Sequence, residues 1–334
     1  MTNNTSPNLT SSEMGKLWAI YIGNTMSTCI LSYYLRCVED QDIKKVLENA
    51  LQLSEKFVKS IKEMFIKEGF PIPAGFSEHD VNLNAPKLFS DEFYLHYLKY
   101  LGKAGMSIYS VAVPLVTRED VKKFFVDVVQ ATVQLLNDVN ETLDQKGYLM
   151  KSPPIPIPEK VKFVQKQSYL NGFFGNVRPL HGLEIAHLHD NIENDSTSKA
   201  LLIAFSQTAK DEKVKQYFIR GKELTHKHVE ICSQHLHKEN LPSHPLLDHL
   251  VSTSTEAPFS DKLMLYHKID MFSMKIRSYA NGMSLNGRRD ISAMYIRFLT
   301  DVGLYLEDGM NIGIDHGWME QPPEAADRDR LTSK

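Results

Sequence analysis

The chain has 334 residues, with 38 Lys plus Arg against 41 Asp plus Glu and a net charge of −3. That length suits about two domains of ~100–200 residues each, and a near balance of charge without a basic block leaves no electrostatic footprint for nucleic acid, so DNA and RNA are not expected partners. Three cysteines, Cys29, Cys37 and Cys232, form no Cys-x-x-Cys and no paired framework, which fits a reducing compartment and small packed side chains.

Residues 1–12, rich in Asn, Ser and Thr, lack the charged and apolar regions of a signal peptide. Four helical segments are expected next, at 13–39, 42–69, 90–116 and 119–146. The third opens with Ser90 as N-cap, Asp91 in its first turn and Phe89 as a hydrophobic staple. The most apolar stretch, Phe93 to Val116, is interrupted by Lys99 and Lys103 and ends near Pro114, so a packed helix is expected there rather than a membrane span. At ~100° per residue, Val121, Phe124, Phe125, Val128, Thr132, Leu135 and Val139 of the fourth segment fall in one stripe. Gly147 then suits the left-handed residue that closes a helix. The run Lys151-Ser152-Pro153-Pro154-Ile155-Pro156-Ile157-Pro158 forbids helix and reads as a stiff polyproline spacer that holds its flanks at a set distance. Asn171-Gly172-Phe173-Phe174-Gly175 has no counterpart upstream; its aromatics are expected to pack between the two halves, with a partner-docking loop as the alternative.

The remainder repeats what came before. Phe89-Ser90-Asp91 returns as Phe259-Ser260-Asp261, Arg118-Glu119-Asp120-Val121 as Arg288-Arg289-Asp290-Ile291, and Gly147-Tyr148-Leu149 as Gly317-Trp318-Met319, all displaced by about 170 positions. Solenoid repeats have periods of only ~20–50 residues, so this is duplication of a whole domain. Helices are accordingly expected at 183–209, 211–239, 260–285 and 288–315. Four amphipathic helices per copy bury their stripes economically as an antiparallel four-helix bundle. The expected fold is all-α, with two tandem antiparallel four-helix bundles: residues 1–150 form the first, 151–182 a Pro-rich linker and connecting segment, 183–318 the second, and 319–334 a polar tail.

Whole motifs carry a family resemblance: Phe89 to Tyr97 (FSDEFYLHY), Pro154 to Pro158 (PIPIP), Phe173-Phe174-Gly175, Arg178-Pro179-Leu180, Arg220-Gly221-Lys222-Glu223, Phe259 to Leu263 (FSDKL) and Gly317 to Pro323 (GWMEQPP). Over nearly its full length the chain is similar to spore-former proteins of the domain-of-unknown-function 3231 family, which are related to coat-F-like proteins. The resemblance implies ferritin-like bundles, assigns no catalytic residue, and implies a spore-coat association by kinship.

Ferritin-like bundles invite a di-metal site, in which two helices each give a Glu and two others each give Glu-x-x-His. Glu184-Ile185-Ala186-His187 and Glu223-Leu224-Thr225-His226 match that motif. Their levels disagree, however, because Glu184 lies ~39 Å from the helical turn and Glu223 ~20 Å at ~1.5 Å per residue. Glu223 and His226 also fall off the apolar stripe of Val214, Phe218, Gly221, Thr225 and Cys232, and the first copy has Gln52 and Glu55 in their places. Asp301 and Asp308 sit only at the edge of the last helix's stripe, with Glu307 behind it. No metal and no other cofactor is therefore expected. The pairs His187/His189 and His235/His237 are read as solvated histidines.

One polar group faces inward. His228 lies on the apolar stripe where the first copy has Phe57, and Asp195 stands level with it where the first copy has Asn24. Lys199, one turn after Asp195, is the expected neutralising partner. A hydrogen-bonded core histidine is the plain reading, and a pH-sensitive or ligand-accepting pocket the sharper one. No nucleotide loop or nucleophile elbow is present. The chain reads as a non-catalytic structural or interaction protein, cytoplasmic or in the forespore or spore, with protein partners or self-association. The alternatives are a metal-dependent ferritin-like oxidoreductase and small-molecule binding in the second bundle.

Overall fold

The fold was analysed in a computed structural model that describes residues 8–332. Residues 1–7 of the N-terminal stretch and 333–334 of the tail lie outside the described residues. Eight long helices carry the structure: α1 (Ser11–Cys37), α2 (Gln41–Lys67), α3 (Asp91–Ala112), α4 (Glu119–Gln145), α5 (Gly182–Thr208), α6 (Glu212–Lys238), α7 (Asp261–Ser284) and α8 (Arg289–Asp315). A single turn, α9 (Arg328–Thr332), follows.

Local chemistry sets the helix ends. Thr10 and Glu13 form a capping box on α1, and His181 and Glu184 form its equivalent on α5. Ser260 accepts the Leu263 N–H at 3.1 Å as expected, whereas Ser90 makes no side-chain cap bond. Asp91 and Asp261 do something else. Asp91 accepts the N–H groups of Glu39 and Asp40, and Asp261 those of Lys210 and Asp211, so each ties the start of a third helix to the turn between the first two. Gly147 and Gly317 take φ of +74° and +66° at the ends of α4 and α8, the left-handed conformation that glycine adopts without strain. The α3 helix stops at Ala112, short of the expected 116, and a 3-10 turn containing Pro114 carries the chain on to Leu115.

In the first copy α1 packs on α2, α3 on α4, and α2 against both α3 and α4; the second copy repeats the pairing of α5 with α6 and α7 with α8. A short three-residue turn between α1 and α2 makes them antiparallel neighbours. Buried residues of both copies belong to one hydrophobic cluster, so the cores run into each other. Tyr33, Tyr34, Tyr94, Tyr97, Tyr217 and Tyr279 are among the largest fully buried side chains.

The seam between the copies is reciprocal. Val81 bridges to Phe259 and Phe89 to Val251, while Ser90 N–H donates to Leu250 O and Ser260 N–H to Asp80 O. Asn82 N–H to Pro258 O and Ser252 N–H to Leu88 O complete the exchange. Each contact maps onto another by the displacement of 170, which is the signature of a local twofold axis. The Pro-rich spacer therefore does not hold the halves apart, because they touch directly. Nor do Phe173 and Phe174 pack between them, since both are exposed.

Candidate functional site

The inward polar group of the second bundle is built on α5, α6, α7 and α8. His228 and Asp195 are both buried, at 0% and 1% exposure. Tyr279, rather than direct contact, joins them. Its hydroxyl donates to Asp195 Oδ2 at 2.6 Å and lies 3.1 Å from His228 Nδ1. The imidazole thus meets the hydroxyl at Nδ1, and its remaining hydrogen-bonding atom is Nε2. That nitrogen faces Asp301 Oδ2 at 3.4 Å, and the ring stacks on Phe298 at 3.8 Å. Burial pushes His228 down to about 4, against the pull of Asp195 and Asp301.

Lys199 stands apart from this set. Its Nζ lies 2.5 Å from Asp248 Oδ2 in the connection before α7. Lys275 takes the place expected of Lys199: its Nζ is 2.9 Å from Asp195 Oδ1 and donates to Thr225 Oγ1 at 2.9 Å. Burial lowers the Lys275 ammonium, with Asp195 opposing the shift. One turn pair earlier on α7, Lys268 is fully buried, donates to Ser198 Oγ at 2.8 Å, and is pushed well below its usual range by burial and then by Lys275. Neither lysine was singled out as an inward group from the sequence. The available signal was their spacing of seven, which places both on the face of Met264 and Met271.

The first copy has the same positions without the charge. Asn24, Phe57, Gly105 and Tyr109 occupy the positions of Asp195, His228, Lys275 and Tyr279. There Asn24 Nδ2 donates to Ile20 O at 2.8 Å and approaches Tyr109 Oη at 3.5 Å, a neutral version of the Asp195–Tyr279 pair. A cavity of about 40 Å³ lies among Asn24, Phe57, Gly105 and Tyr109. The second copy thus carries an acid and a base that compensate each other where the first carries neither.

Glu223 and His226 are exposed. Glu184 is buried and structural: Arg178 grips it with two bonds of 2.8 Å, and it accepts N–H groups from His181 and Gly287. These bonds, led by Arg178, outweigh burial and hold its carboxyl down at about 2. Among the described residues no three His, Cys, Asp or Glu side chains are arranged to hold a metal ion.

His189 is not solvated. It is buried at the seam, its ring 6.1 Å from that of His244, which is 6.0 Å from that of His96. Burial pushes His244 down to about 4 and lowers His189 as well. Beside them Glu193 on α5 takes Lys99 at 2.6 Å and Lys103 from α3, and these two ammonium groups overcome its burial to hold it at about 2. His237 is exposed, as expected, and His235 is half-buried near Asp290.

The fold and this interior define a duplicated all-helical protein of paired four-helix bundles. A family model described as "Protein of unknown function (DUF3231)" matches it twice, over residues 1–161 and 168–331, and the chain belongs to that family. No curated protein matches. Among solved structures, a protein of Bacillus halodurans C-125 named as a candidate spore coat protein aligns at 20% identity with a TM-score of 0.41, over 47% of this chain and all (100%) of that one.

Proposed function

We propose that the chain is a non-catalytic structural or interaction protein made of two degenerate ferritin-like bundles, residues 1–150 and 183–318. The observation that carries this reading is the Asp195–Lys275 pair. Where a ferritin-like interior would offer free carboxylates to a cation, this one closes its buried carboxylate with its own ammonium and a tyrosine hydroxyl. Cavities of about 40 Å³ in the first bundle and 80 Å³ beside Tyr266 and Asp270 are the size of one to a few waters, at ~30 Å³ each, rather than of a substrate.

His228 and Asp195 belong, in this reading, to a register-fixing core network, and Lys199 to an ion pair that braces the connection before α7. Kinship with coat-F-like proteins supports a place in the forespore or spore, with protein partners or copies of the chain itself. Elemental analysis and native mass spectrometry of untagged protein test the proposal. The expected result is less than stoichiometric metal and no retained small molecule. Stoichiometric iron or manganese, or a turnover abolished by substitution of one named residue, overturns it. A fluorescent fusion spread evenly through a sporulating cell would remove the spore assignment.

A further inference from the structure

The connection between α4 and α5 exposes apolar side chains more fully than any of the described helices does. Ile157 is 91% exposed, Phe163 81% and Phe174 87%, and Val161, Val164 and Phe173 are exposed beside them. Leaving such side chains in water is unfavourable, and a cluster of them marks a contact surface. The segment is also basic. From residue 160 to residue 183 there is no Asp or Glu, while Lys160, Lys162 and Lys166 point into solvent. The chain as a whole carries −3, so the positive charge is local.

This segment is fastened to the second bundle. Arg178 is clamped by Glu184 and lies 4.3 Å over the Tyr169 ring, and its carbonyl accepts from Arg288 at 3.2 Å. Gly172 is pressed so closely on the start of α8 that a Cβ there would sit 2.0 Å from Asp290 Oδ1. Gly175 turns the chain at φ +77°. The backbone is thus pinned on both sides of Phe173-Phe174, and the two rings project from an anchored tip. An open groove of about 540 Å³ is lined by Lys162, Phe163, Lys166, Ser168, Tyr169 and Arg178, among others. Its lysines suit a phosphate.

We infer that residues 157–177 dock the protein on the surface of an anionic phospholipid bilayer, with Phe163 and Phe174 entering the headgroup boundary and Lys160, Lys162 and Lys166 meeting lipid phosphates. Charge complementarity selects the anionic partner: interfacial apolar residues beside lysines gain both from buried area and from the negative potential of the leaflet. The form of the surface selects lipid over protein. The exposed apolar side chains stand on irregular backbone, and a bilayer accepts such a surface without the shape complementarity that a partner protein needs. No described helix is long and apolar enough to cross a membrane, so the attachment is peripheral. This surface rests on the reading of the chain as an interaction protein.

Sedimentation of the full chain with vesicles of phosphatidylglycerol and phosphatidylcholine, against phosphatidylcholine alone, tests it. Binding to the anionic vesicles is expected, at least tenfold stronger than to the neutral ones and weakened by salt. The double variant F163S/F174S is expected to lose at least tenfold and the triple variant K160Q/K162Q/K166Q about a hundredfold, at ~1 kcal/mol per lysine, with helicity and melting unchanged, because all five side chains are exposed. Equal binding by the variants, or no binding to anionic vesicles, overturns the inference. So does a concentration-dependent dimer, with no vesicle binding, that F163S/F174S abolishes, since the surface would then serve a second copy of the chain. Metal content and turnover are separate readouts, so the failure of one reading leaves the other measurable.

Discussion

Tyr97 and His267 hydrogen-bond to each other at 3.1 Å, and they are the same position of the duplicated domain counted once in each copy. A residue touches its own equivalent only on a twofold axis. Ser107 and Arg277 repeat the relationship, with Arg277 Nε donating to Ser107 Oγ at 3.0 Å, so α3 and α7 cross along that axis. Both Tyr97 and His267 are fully buried. Tyr97→Phe is expected to leave the imidazole Nε2 without a partner and to cost about 1–3 kcal/mol, read from urea unfolding with an unchanged m value.

The Asp195–Lys275 pair predicts a non-additive cycle. Lys275→Met strands a buried carboxylate and is expected to cost about 3–5 kcal/mol. Adding Asp195→Asn, the first copy's residue at that place, removes the stranded charge and is expected to recover most of the loss. If the two changes simply summed, the pair would not be coupled.

Acid stability follows from His228 and His244. Each has a folded value of about 4 against an ordinary 6.5. A depressed folded value means that the unfolded state takes up the proton first, so stability is full above about pH 6.5 and falls as pH drops toward 4. Each contributes about 2–3 kcal/mol of that loss by pH 4.5, at ~1.4 kcal/mol per unit. Glu13, Glu184 and Glu193, held near 2, weaken the fold only in the lower window between their ordinary 4.5 and 2. His228→Phe is expected to shrink the loss between pH 7 and 4.5 by about 2 kcal/mol, measured as urea midpoints across that range. An unchanged slope removes His228 from the account.

Two helical glycines predict opposite signs. A Cβ on Gly221 would stand 2.1 Å from Tyr305 Oη, whose ring stacks on Tyr217 at 4.1 Å. Gly221→Ala is therefore expected to cost about 1–3 kcal/mol through overpacking, despite a gain of ~1 kcal/mol in helix propensity. Gly303 is exposed with nothing within 4 Å of its would-be Cβ. Gly303→Ala should stabilise by up to about 1 kcal/mol, as a higher melting temperature.

The helix limits at Ser260, Gly147 and Gly317 were readable because they are decided locally, whereas the caps Thr10 and Asp40 start α1 and α2 one or two residues before the expected 13 and 42. His228 and Asp195 were readable because a helical stripe fixes which way a side chain points. What covers the outside of a bundle is a different matter. His189 lies where a single bundle would leave it wet, and it is buried by α3 and the connection that holds His244, both brought there by the seam. Lys199 and Lys275 were exchanged for the same reason in miniature: the partner of Lys199, Asp248, sits in an irregular connection that no periodicity places. Phe173 and Phe174 were expected inside because aromatics usually are, but the close fit of Gly172 to Asp290 leaves them outside.

The crossed backbone bonds of the seam join the halves independently of the peptide that links them. A protease nicking the exposed stretch 154–160 severs nothing that holds the halves together, since the four exchanged N–H groups of Asn82, Ser90, Ser252 and Ser260 all lie elsewhere. Either fragment by itself is left with unpaired carbonyls and amides beside a bared aromatic face, and its own duplicate is the nearest thing to a replacement.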